Sequence, residues 1–380
     1  MIKTIVMAAG EASGDLHGAN LIHALREHHG PIFVCGMGGR AMRAAGAHIR
    51  IDAEQVAVVG ITEVFFKIAN VLKAMSQLKQ LLSDMRPDLL ILIDFPDFNL
   101  HLAGAAKKLG IPVLYYISPQ LWAWRSGRVK KIKKRVDHMA VILPFEKEFY
   151  ERHGVPVTYV GHPLMDSITG RVPLRVGALP NNQAPVIGFL PGSRVSEVRS
   201  LLPIMLRAGQ QLQHKMNQAR FLISCAPSID VHLIRTILDE NGLRQAEITH
   251  EPVSELFLRC HLAVVASGTV TLEAAICGTP IIITYAVSPM SYWMGRALIR
   301  VDHIGLVNLI AQKRVVPELI QKQANPQAIC DTAYRMLSES QTYARICQDL
   351  SIVRERLGQQ GASRTVAHIA CSMMRCDHAL

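Results

Sequence analysis

The sequence has no hydrophobic run long enough to cross a bilayer. Its longest apolar stretches, residues 89–93 and 279–285, are far shorter than the ~20 residues that a membrane-spanning helix needs. The opening residues, MIKTIVMAAGEASGD, also lack the longer apolar segment and small-residue cleavage site of a signal peptide. We therefore expect a cytoplasmic protein.

Paired cysteines and abundant aromatic residues are absent as well. The eight cysteines are scattered singly without a CxxC pair, which is typical of reduced core thiols rather than of disulfides or zinc ligands. Aromatic residues make up only 6% of the chain, and no RNP, zinc-finger or helix-turn-helix signature accompanies them. Nucleic acid is therefore a minor hypothesis.

Acidic residues are fewer than basic ones. The chain has 41 Lys and Arg against 30 Asp and Glu, which gives a formal net charge of +11. Such an excess attracts partners that carry phosphate, namely nucleic acid, anionic lipid or a nucleotide-sugar. Charge by itself does not choose among these three.

Short apolar runs alternate with helix-length amphipathic segments, and this alternation predicts βαβ units in parallel sheets. The predicted strands of the first half are residues 4–8, 32–35, 89–93, 113–117, 139–143 and 157–160. After a segment rich in Pro, Gly and Asn, the predicted strands are residues 186–190, 221–224, 262–265 and 280–284. From Pro326 onward the sequence predicts only helices.

These patterns predict an α/β fold of two Rossmann-like, doubly wound domains with a helical C-terminal tail. The predicted domains are residues 1–168 and 185–340, joined by a linker at 169–184. The tail, residues 341–380, is expected to pack back on the first domain or to be exchanged with a partner subunit. Two such domains are expected to face a cleft that binds the ligand between the carboxyl ends of their sheets.

The first predicted strand ends in a polar, glycine-containing loop, AGEASGDLHG at residues 9–18. Its glycines allow a ligand to approach the backbone, and Asp15 is expected to cap the helix that follows. The segment is not a P-loop, because Asp15 and Leu16 stand where that motif needs Lys and Ser or Thr. An ordinary strand-to-helix turn is the alternative. The candidate acceptor or cleft-loop residues are Gly10, Glu11, Ser13, Gly14, Asp15 and His17.

A second glycine-rich segment, GMGGRA at residues 36–41, formally matches a relaxed dinucleotide fingerprint. It follows the second predicted strand rather than the first, and no acidic residue ends a clear strand about 20 residues later. A nicotinamide cofactor is therefore not favoured, and no cofactor is predicted.

Two carboxylates follow the most apolar predicted strand, in the motif IDFPDFN at residues 93–99. A nucleotide-sugar is one of the partners that the charge allows. Transfer of its sugar with inversion would need a base that takes the proton of the acceptor hydroxyl, and a partly desolvated carboxylate is suited to this role. Asp97 is the predicted base, with Asp94 in support. Capping of the next helix by Asp97 or Asn99 is the structural alternative, and Asp94, Asp97 and His101 do not form a specific metal motif. No metal site is predicted.

In the second half, the motif LPGSR at residues 190–194 joins a strand to a helix. Backbone N–H groups at a helix N-terminus and a guanidinium group suit a diphosphate. Gly192, Ser193 and Arg194 are therefore predicted to bind the diphosphate of a nucleotide-sugar, the sugar donor. Arg194 would also offset the charge that develops on a leaving UDP.

The motif ASGTVTLEAA at residues 266–275 repeats this arrangement. Ser267, Gly268 and Thr269 form a second candidate phosphate site at a helix start. Glu273 is predicted to accept hydrogen bonds from two ribose hydroxyls, and the alternative is a charge that stabilises the helix dipole.

Taken together, these segments resemble those of the lipid A disaccharide synthase family, whose members are inverting glycosyltransferases of the GT-B fold. The motifs that carry the resemblance along nearly the whole chain are AGEASGDLHGA, GMGG, IDFPDFN, SPQLWAWR, LPFE, VGHPL, LPGSR and ASGTVTLEAA. The resemblance implies transfer of 2,3-diacylglucosamine from its UDP ester to the 6-hydroxyl of 2,3-diacylglucosamine 1-phosphate. The products would be UDP and the β-1,6-linked disaccharide 1-phosphate of lipopolysaccharide biosynthesis.

The resemblance has further implications for residues and partners. It makes Asn308 a donor-site residue, it involves no bound metal, and it implies a homodimer with exchanged C-terminal helices. Acylated substrates also suggest peripheral association with the inner membrane, for which residues 61–82 show apolar residues at helical spacing with lysines between them. A helix that faces the core is the alternative for this stripe.

Two other functions stay open at this point. A UDP-N-acetylglucosamine 2-epimerase shares the expected fold and a UDP site, and fold alone does not decide function. A non-catalytic basic protein of the membrane surface would also account for the charge and the stripe.

Overall fold

The computed structural model describes residues 2–56, 64–124, 126–168, 184–243, 245–286 and 303–375, without the side chains of residues 55, 64–68, 123, 124, 126 and 375. The chain forms two compact units, Met1–Asp166 with Gly358–Leu380, and Ser167–Leu357. Residues 169–183 of the predicted linker lie outside the described residues. The segment 341–380, predicted as one tail, divides between the two units at Gly358.

The first unit contains a parallel sheet in the order β3-β2-β1-β4-β5-β6-β7. Its strands are β1 (Lys3–Ala9), β2 (Ile32–Gly38), β3 (His48–Asp52), β4 (Leu89–Ile93), β5 (Val113–Tyr116), β6 (His138–Val141) and β7 (Val157–Tyr159). Chain order reverses between β1 and β4. This reversal is the topological switch point, where doubly wound folds bind ligands.

Helices cover both faces of this sheet. The helices of this part of the chain are α1 (Ala12–His29), α2 (Arg40–Ala44), α3 (Val64–Met85), α4 (Pro96–Lys108), α5 (Leu121–Trp124), α6 (Val129–Arg135) and α7 (Pro144–Arg152), with 3₁₀ turns at Ala53–Gln55 and Ser126–Arg128. The short helix α8 (Leu164–Ile168) crosses the boundary between the two units. Alternate residues of one strand enter different cores, as the two-residue period of a strand requires. Leu90 and Leu92 join one apolar cluster, whereas Leu89, Ile91 and Ile93 join the other.

The second unit contains a parallel sheet in the order β10-β9-β8-β11-β12-β13, with its switch point between β8 and β11. Its strands are β8 (Val186–Leu190), β9 (Arg220–Ser224), β10 (Glu247–Thr249), β11 (Leu262–Ala266), β12 (Ile281–Tyr285) and β13 (Glu318–Ile320). Its helices are α9 (Val195–Lys215), α10 (Val231–Asn241), α11 (Val253–Arg259), α12 (Val270–Cys277), α13 (Leu306–Ala311), α14 (Pro326–Ser338) and α15 (Ser340–Arg356), with a 3₁₀ turn at Gln321–Gln323.

The last described helix, α16 (Ala362–Arg375), packs against α1 of the first unit. Val366, Ala367 and Ala370 are buried there together with Leu21 and Ile22 of α1. This apolar contact attaches the end of the chain to the unit in which the chain begins.

The predicted fold class is confirmed, because both units are parallel α/β sheets and every predicted strand is present. Sequence reasoning missed the three strands β3, β10 and β13. All three lie at sheet edges, and β10 and β13 are only three residues long. Short edge strands need fewer buried apolar residues, so their sequences carry a weaker strand signal.

The stripe predicted at residues 61–82 lies partly in α3. Ala74 and Leu78 are buried in the core of the first unit, and Val71 and Met75 pack against it, so the described part of the stripe mainly faces the core. Leu72 is the exception, with 64% of its surface exposed. Residues 61–63 and the side chains of 64–68 lie outside the described residues. Among the helices that the structure describes, none is both long and apolar enough to span a membrane.

Candidate active site

The candidate residues of the first unit gather at the switch point of its sheet. β1 ends at Ala9 and β4 ends at Ile93, and these two residues are partners in the parallel register. The loop that begins at Gly10 and the loop that begins at Asp94 therefore leave the sheet side by side. The backbones are close enough that a Cβ on Gly10 would lie 2.4 Å from Cγ of Phe95. Only glycine fits here without displacing the Phe95 ring.

Asp15 has a different role from the one that the sequence predicted. Helix α1 begins at Ala12, with Glu11 as its N-cap, so Asp15 lies inside the first turn instead of capping its own helix. Its buried carboxylate accepts hydrogen bonds from the amides of Gly39, Ala41 and Met42 at 2.7, 2.8 and 3.0 Å. Asp15 therefore caps α2, which follows the next strand. The sequence could not show this link, because it joins residues 24 or more positions apart.

The other residues of this loop divide between surface and core. Glu11 and Ser13 are exposed, whereas Gly14 is buried against Ala9 and Ile93. His17 lies one turn further along α1, with its ring edge-on to Tyr116 at a centroid distance of 6.4 Å. Burial lowers the pKa of His17, and the charge of Asp166 opposes this effect. A neutral imidazole is therefore expected at physiological pH.

Asp94 and Phe95 form a strained turn at the end of β4. Both residues have φ of +48°, a left-handed conformation that is rare outside glycine. The pKa of Asp94 is raised to about 6, mainly by burial and secondly by repulsion from the charge of Glu11. Asp94 thus has a raised pKa of the kind that suits a general base.

Asp97 lies in the first turn of α4, with 70% of its side chain exposed. Its Oδ1 is 2.6 Å from Nη1 of Arg128. Asn99, the alternative helix cap, is completely buried, and its amide bonds the preceding turn instead of capping α4. His101 bonds the backbone carbonyl of Asp97 through Nδ1 at 2.7 Å.

The candidate donor residues lie at the switch point of the second sheet. Arg194 and Ser267 line the same cavity of about 390 Å³, although 73 positions separate them in sequence. Its other lining residues include Ser200, Thr284 and Tyr285, which sequence reasoning missed. Thr284 and Tyr285 end β12. The polar pair Thr-Tyr at the end of an apolar run could have indicated from sequence that these residues line a site.

The N–H groups of the first predicted phosphate loop already donate hydrogen bonds to a carboxylate of the same unit. Oε2 of Glu197 accepts hydrogen bonds from the amides of Ser193 and Arg194 at 3.2 and 3.3 Å, and Oε1 lies 3.1 Å from Nη1 of Arg194. Gly192 has φ of +116°, and a Cβ there would meet the Glu197 carboxylate at 2.3 Å. A carboxylate thus occupies the groups that were predicted to hold a phosphate.

The second predicted phosphate loop begins α12. Gly268 has φ of +155° with open space around the position of a Cβ, and Thr269 is the exposed N-cap of the helix. Ser267 donates a hydrogen bond to the carbonyl of Ile304 at 3.4 Å. Burial raises the pKa of Glu273, in the first turn of α12, to about 7.

Asn308, which the resemblance made a donor-site residue, is completely buried. Its Oδ1 accepts from the amides of Val315 and Val316, while Nδ2 donates to the Val316 carbonyl and to Oε1 of Glu318 at 2.8 Å. Both of its amide hydrogens are therefore used inside the unit, and its place in the donor site stays a prediction. Glu318 in turn accepts hydrogen bonds from the amides of Ile304 and Gly305.

Comparison with known proteins identifies the family. A family model described as lipid-A-disaccharide synthetase matches residues 5–372. A lipid-A-disaccharide synthase of Geobacter sulfurreducens is 44% identical over 375 residues, covering 97% of each chain. A protein of the same name from Coxiella burnetii is 40% identical and covers 98% of this chain and 99% of its own.

Solved structures with the same fold are more distant in sequence. A UDP-GlcNAc 2-epimerase from Neisseria meningitidis, bound to UDP-GlcNAc, has a TM-score of 0.67 at 13% identity, over 97% of this chain and 100% of that one. CalG4, the calicheamicin glycosyltransferase, has a TM-score of 0.63 at 14% identity, over 99% of each chain. These likenesses establish a fold that glycosyltransferases and epimerases share. The sequence match over nearly the full length decides between them: the chain belongs to the lipid-A-disaccharide synthetase family.

Proposed function

We propose that this protein makes the lipid A disaccharide. It transfers 2,3-diacylglucosamine from a UDP ester to the 6-hydroxyl of 2,3-diacylglucosamine 1-phosphate and releases UDP. The observation that carries the proposal is the family match over nearly the whole chain. The candidate residues at both switch points support it, because ligands of doubly wound folds bind there.

The first unit supplies the base in this proposal. The acceptor hydroxyl gives its proton to Asp97 while its oxygen attacks the anomeric carbon from the face opposite to UDP. The bond from that carbon to the phosphate oxygen breaks, and its electron pair leaves with UDP. The exposure of Asp97 at the start of α4 supports this role, because a substrate can reach its carboxylate.

Asp94 is the second candidate for the base, because burial raises its pKa to about 6, and a general base works best when its pKa lies near the operating pH. The two assignments give different pH profiles. If Asp94 takes the proton, kcat/KM falls as the pH drops through about 6, and Asp94→Asn removes that limb together with most activity. If Asp97 is the base, Asp97→Asn abolishes turnover, and Asp94→Asn mainly changes the shape of the profile.

The second unit holds the donor in this proposal. Arg194 and the Ser267 loop bind the diphosphate and stabilise the charge on the leaving UDP. Glu273 accepts hydrogen bonds from the ribose hydroxyls, and Asn308 supports the site through Glu318. Arg194→Met is expected to weaken UDP binding about tenfold or more, since a charge-assisted hydrogen bond contributes ~1.5–3 kcal/mol. Titration calorimetry with UDP measures this.

The acyl chains of both sugars place the reaction at a membrane surface. Binding of the protein to an anionic membrane surface is supported by exposed apolar and basic side chains: Leu72 and Lys73 of α3, and Lys130 and Lys131 of α6. Cosedimentation with vesicles containing anionic lipid tests it, and protein that stays in the supernatant at every lipid concentration contradicts it.

One assay separates the proposed function from its rivals. The purified protein is incubated with the UDP-sugar alone and then with the acceptor added. A transferase releases disaccharide and UDP only with acceptor, whereas an epimerase changes UDP-N-acetylglucosamine without one. A non-catalytic membrane protein gives neither product, and that result in every detergent and lipid condition contradicts the proposal.

A further inference from the structure

The candidate base has an ionic partner from another element. Nη1 of Arg128 lies 2.6 Å from Oδ1 of Asp97. Arg128 ends the 3₁₀ turn Ser126–Arg128 and is the N-cap of α6, whereas Asp97 lies in the first turn of α4. The contact therefore joins two helix starts.

This pair differs from an ordinary surface ion pair, which contributes little because both side chains are mobile in water. The arginine is the less exposed partner, with 27% of its side chain exposed against 70% for Asp97. Most of the Arg128 side chain is therefore covered by neighbouring residues, while the Asp97 carboxylate that it contacts is accessible to a ligand. The guanidinium group can restrict the rotamers of Asp97 without covering it.

The helix that follows Arg128, α6, packs against the helix that carries Asp97. Val129 and Ile132 are buried in the same apolar cluster as Leu100 and Ala103 of α4. At the other end of α6, Nη1 of Arg135 donates to the Leu100 carbonyl at 2.9 Å. The packing of α6 on α4 therefore brings Arg128 next to Asp97.

We infer that Arg128 is a positioning residue for the base: it holds the Asp97 carboxylate in the orientation that accepts the acceptor proton. This rests on the proposed function, in which Asp97 is that base. Arg128 neither gains nor loses a proton in the step. The proton moves from the acceptor hydroxyl to Asp97, and Arg128 contributes by orienting the carboxylate.

The competing interpretation is that Arg128 binds the phosphate of the acceptor directly. The exposed Lys130 and Lys131 follow it in the chain, and such a basic group attracts phosphate. The two roles differ in kinetics. Loss of a phosphate contact weakens acceptor binding and raises KM, whereas loss of orientation lowers kcat with little change in KM.

The experiment is a double-mutant cycle with Arg128→Met, Asp97→Asn and the double variant. With acceptor varied, Arg128→Met is expected to lower kcat about 10- to 100-fold, since a misplaced catalytic group costs up to about 100-fold. KM for the acceptor should stay within about twofold. In the Asp97→Asn background the same substitution should change residual activity less than about twofold, because Arg128 then has no base to orient.

Two further variants make the result specific. Arg128→Lys keeps the positive charge and is expected to restore kcat to within about threefold of the natural protein, because the pair can re-form. Lys107→Met is the matched control. Lys107 lies in the same helix α4 as Asp97 and forms a pair with Asp137 at the same distance of 2.6 Å, so its loss should leave kcat and KM unchanged.

The outcomes separate the two levels of the proposal. A higher acceptor KM with unchanged kcat, or an equal effect of Arg128→Met with and without Asp97, overturns the positioning role. Full activity of Asp97→Asn overturns the base assignment itself. Thermal unfolding of every variant accompanies the kinetics, and if Arg128→Met does not fold, Arg128→Gln takes its place in the cycle.

Discussion

The side-chain amide of Asn99 donates a hydrogen bond to the carbonyl of Asp94 at 2.7 Å, and Asp94 has φ of +48°. The same amide lies 3.3 Å from the Ala8 carbonyl and 3.2 Å from the Ile93 carbonyl, so it bridges the ends of β1 and β4. Tyr115 adds a bond of 2.6 Å from its hydroxyl to the Asp94 carbonyl. These buried donors stabilise a left-handed turn that the local sequence would not adopt by itself.

Asn99→Ala is therefore expected to destabilise the turn that carries Asp94. The free energy of unfolding should fall by about 2 kcal/mol, because buried carbonyls lose their donor, and kcat should fall with it. Urea unfolding and steady-state kinetics measure the two effects. Asn217→Ala, at an exposed position of the second unit, is the control. A variant that keeps both stability and activity would contradict the bridging role.

Asp15→Asn tests whether Asp15 is structural. Its carboxylate receives three backbone hydrogen bonds, so the variant should lose about 2 kcal/mol of stability, more than an ordinary helix cap contributes. Asp230→Asn is the matched control, because Asp230 caps only its own helix α10 through the His232 amide. Lost turnover at unchanged stability would instead point to contact between Asp15 and the substrate.

Glu146 gives a pH-dependent prediction. Burial raises its pKa from 4.5 to about 8, against hydrogen bonds from the amide of Leu143 and Nε1 of Trp122. Between these values the folded protein holds a proton that the unfolded chain has released. Stability should therefore fall as pH rises through this window, with a slope of at most about 1.4 kcal/mol per pH unit from this group.

Glu146→Gln cannot titrate, so its stability relative to the natural protein should improve steadily between pH 5 and 8. Chemical unfolding at several pH values measures the difference. Glu151→Gln, in the same helix but with 55% of the Glu151 side chain exposed, should show no such trend. A pH-independent difference for Glu146→Gln would mean that its two donors keep the carboxyl ionised throughout.

Glu197 is expected to compete with the donor diphosphate. Its carboxylate occupies the amides of Ser193 and Arg194, so Glu197→Gln should bind UDP about three- to tenfold more tightly once the competing charge is removed. The same change should cost about 1 kcal/mol of stability, because a capping interaction is weakened. Calorimetric titration with UDP measures the affinity.

Glu255→Gln is the matched control for that titration, because Glu255 is exposed in the first turn of α11, another helix of the second unit. UDP affinity should not change in this variant. Weaker UDP binding by Glu197→Gln would show that Glu197 orients Arg194 for the ligand instead of competing with it.

Much of this protein is determined by sequence. Continuous apolar strands such as LLILI and LAVVA are buried on both faces of a parallel sheet, and this periodicity can be recognised without coordinates. The positions of the loops after β1, β4, β8 and β11 follow from the same alternation. The order of the motifs indicated the family, and the comparisons confirmed it.

Only the tertiary structure decided what the polar residues of those loops contact. Asp15 caps α2, Asn308 supports a loop through Glu318, and Arg128 contacts Asp97 from 31 positions further along the chain. Periodicity reports which face of an element is buried, because burial depends on local hydrophobicity. Hydrogen bonds and ion pairs depend on which sheet edges and helix ends meet, and folding brings those together from distant parts of the sequence.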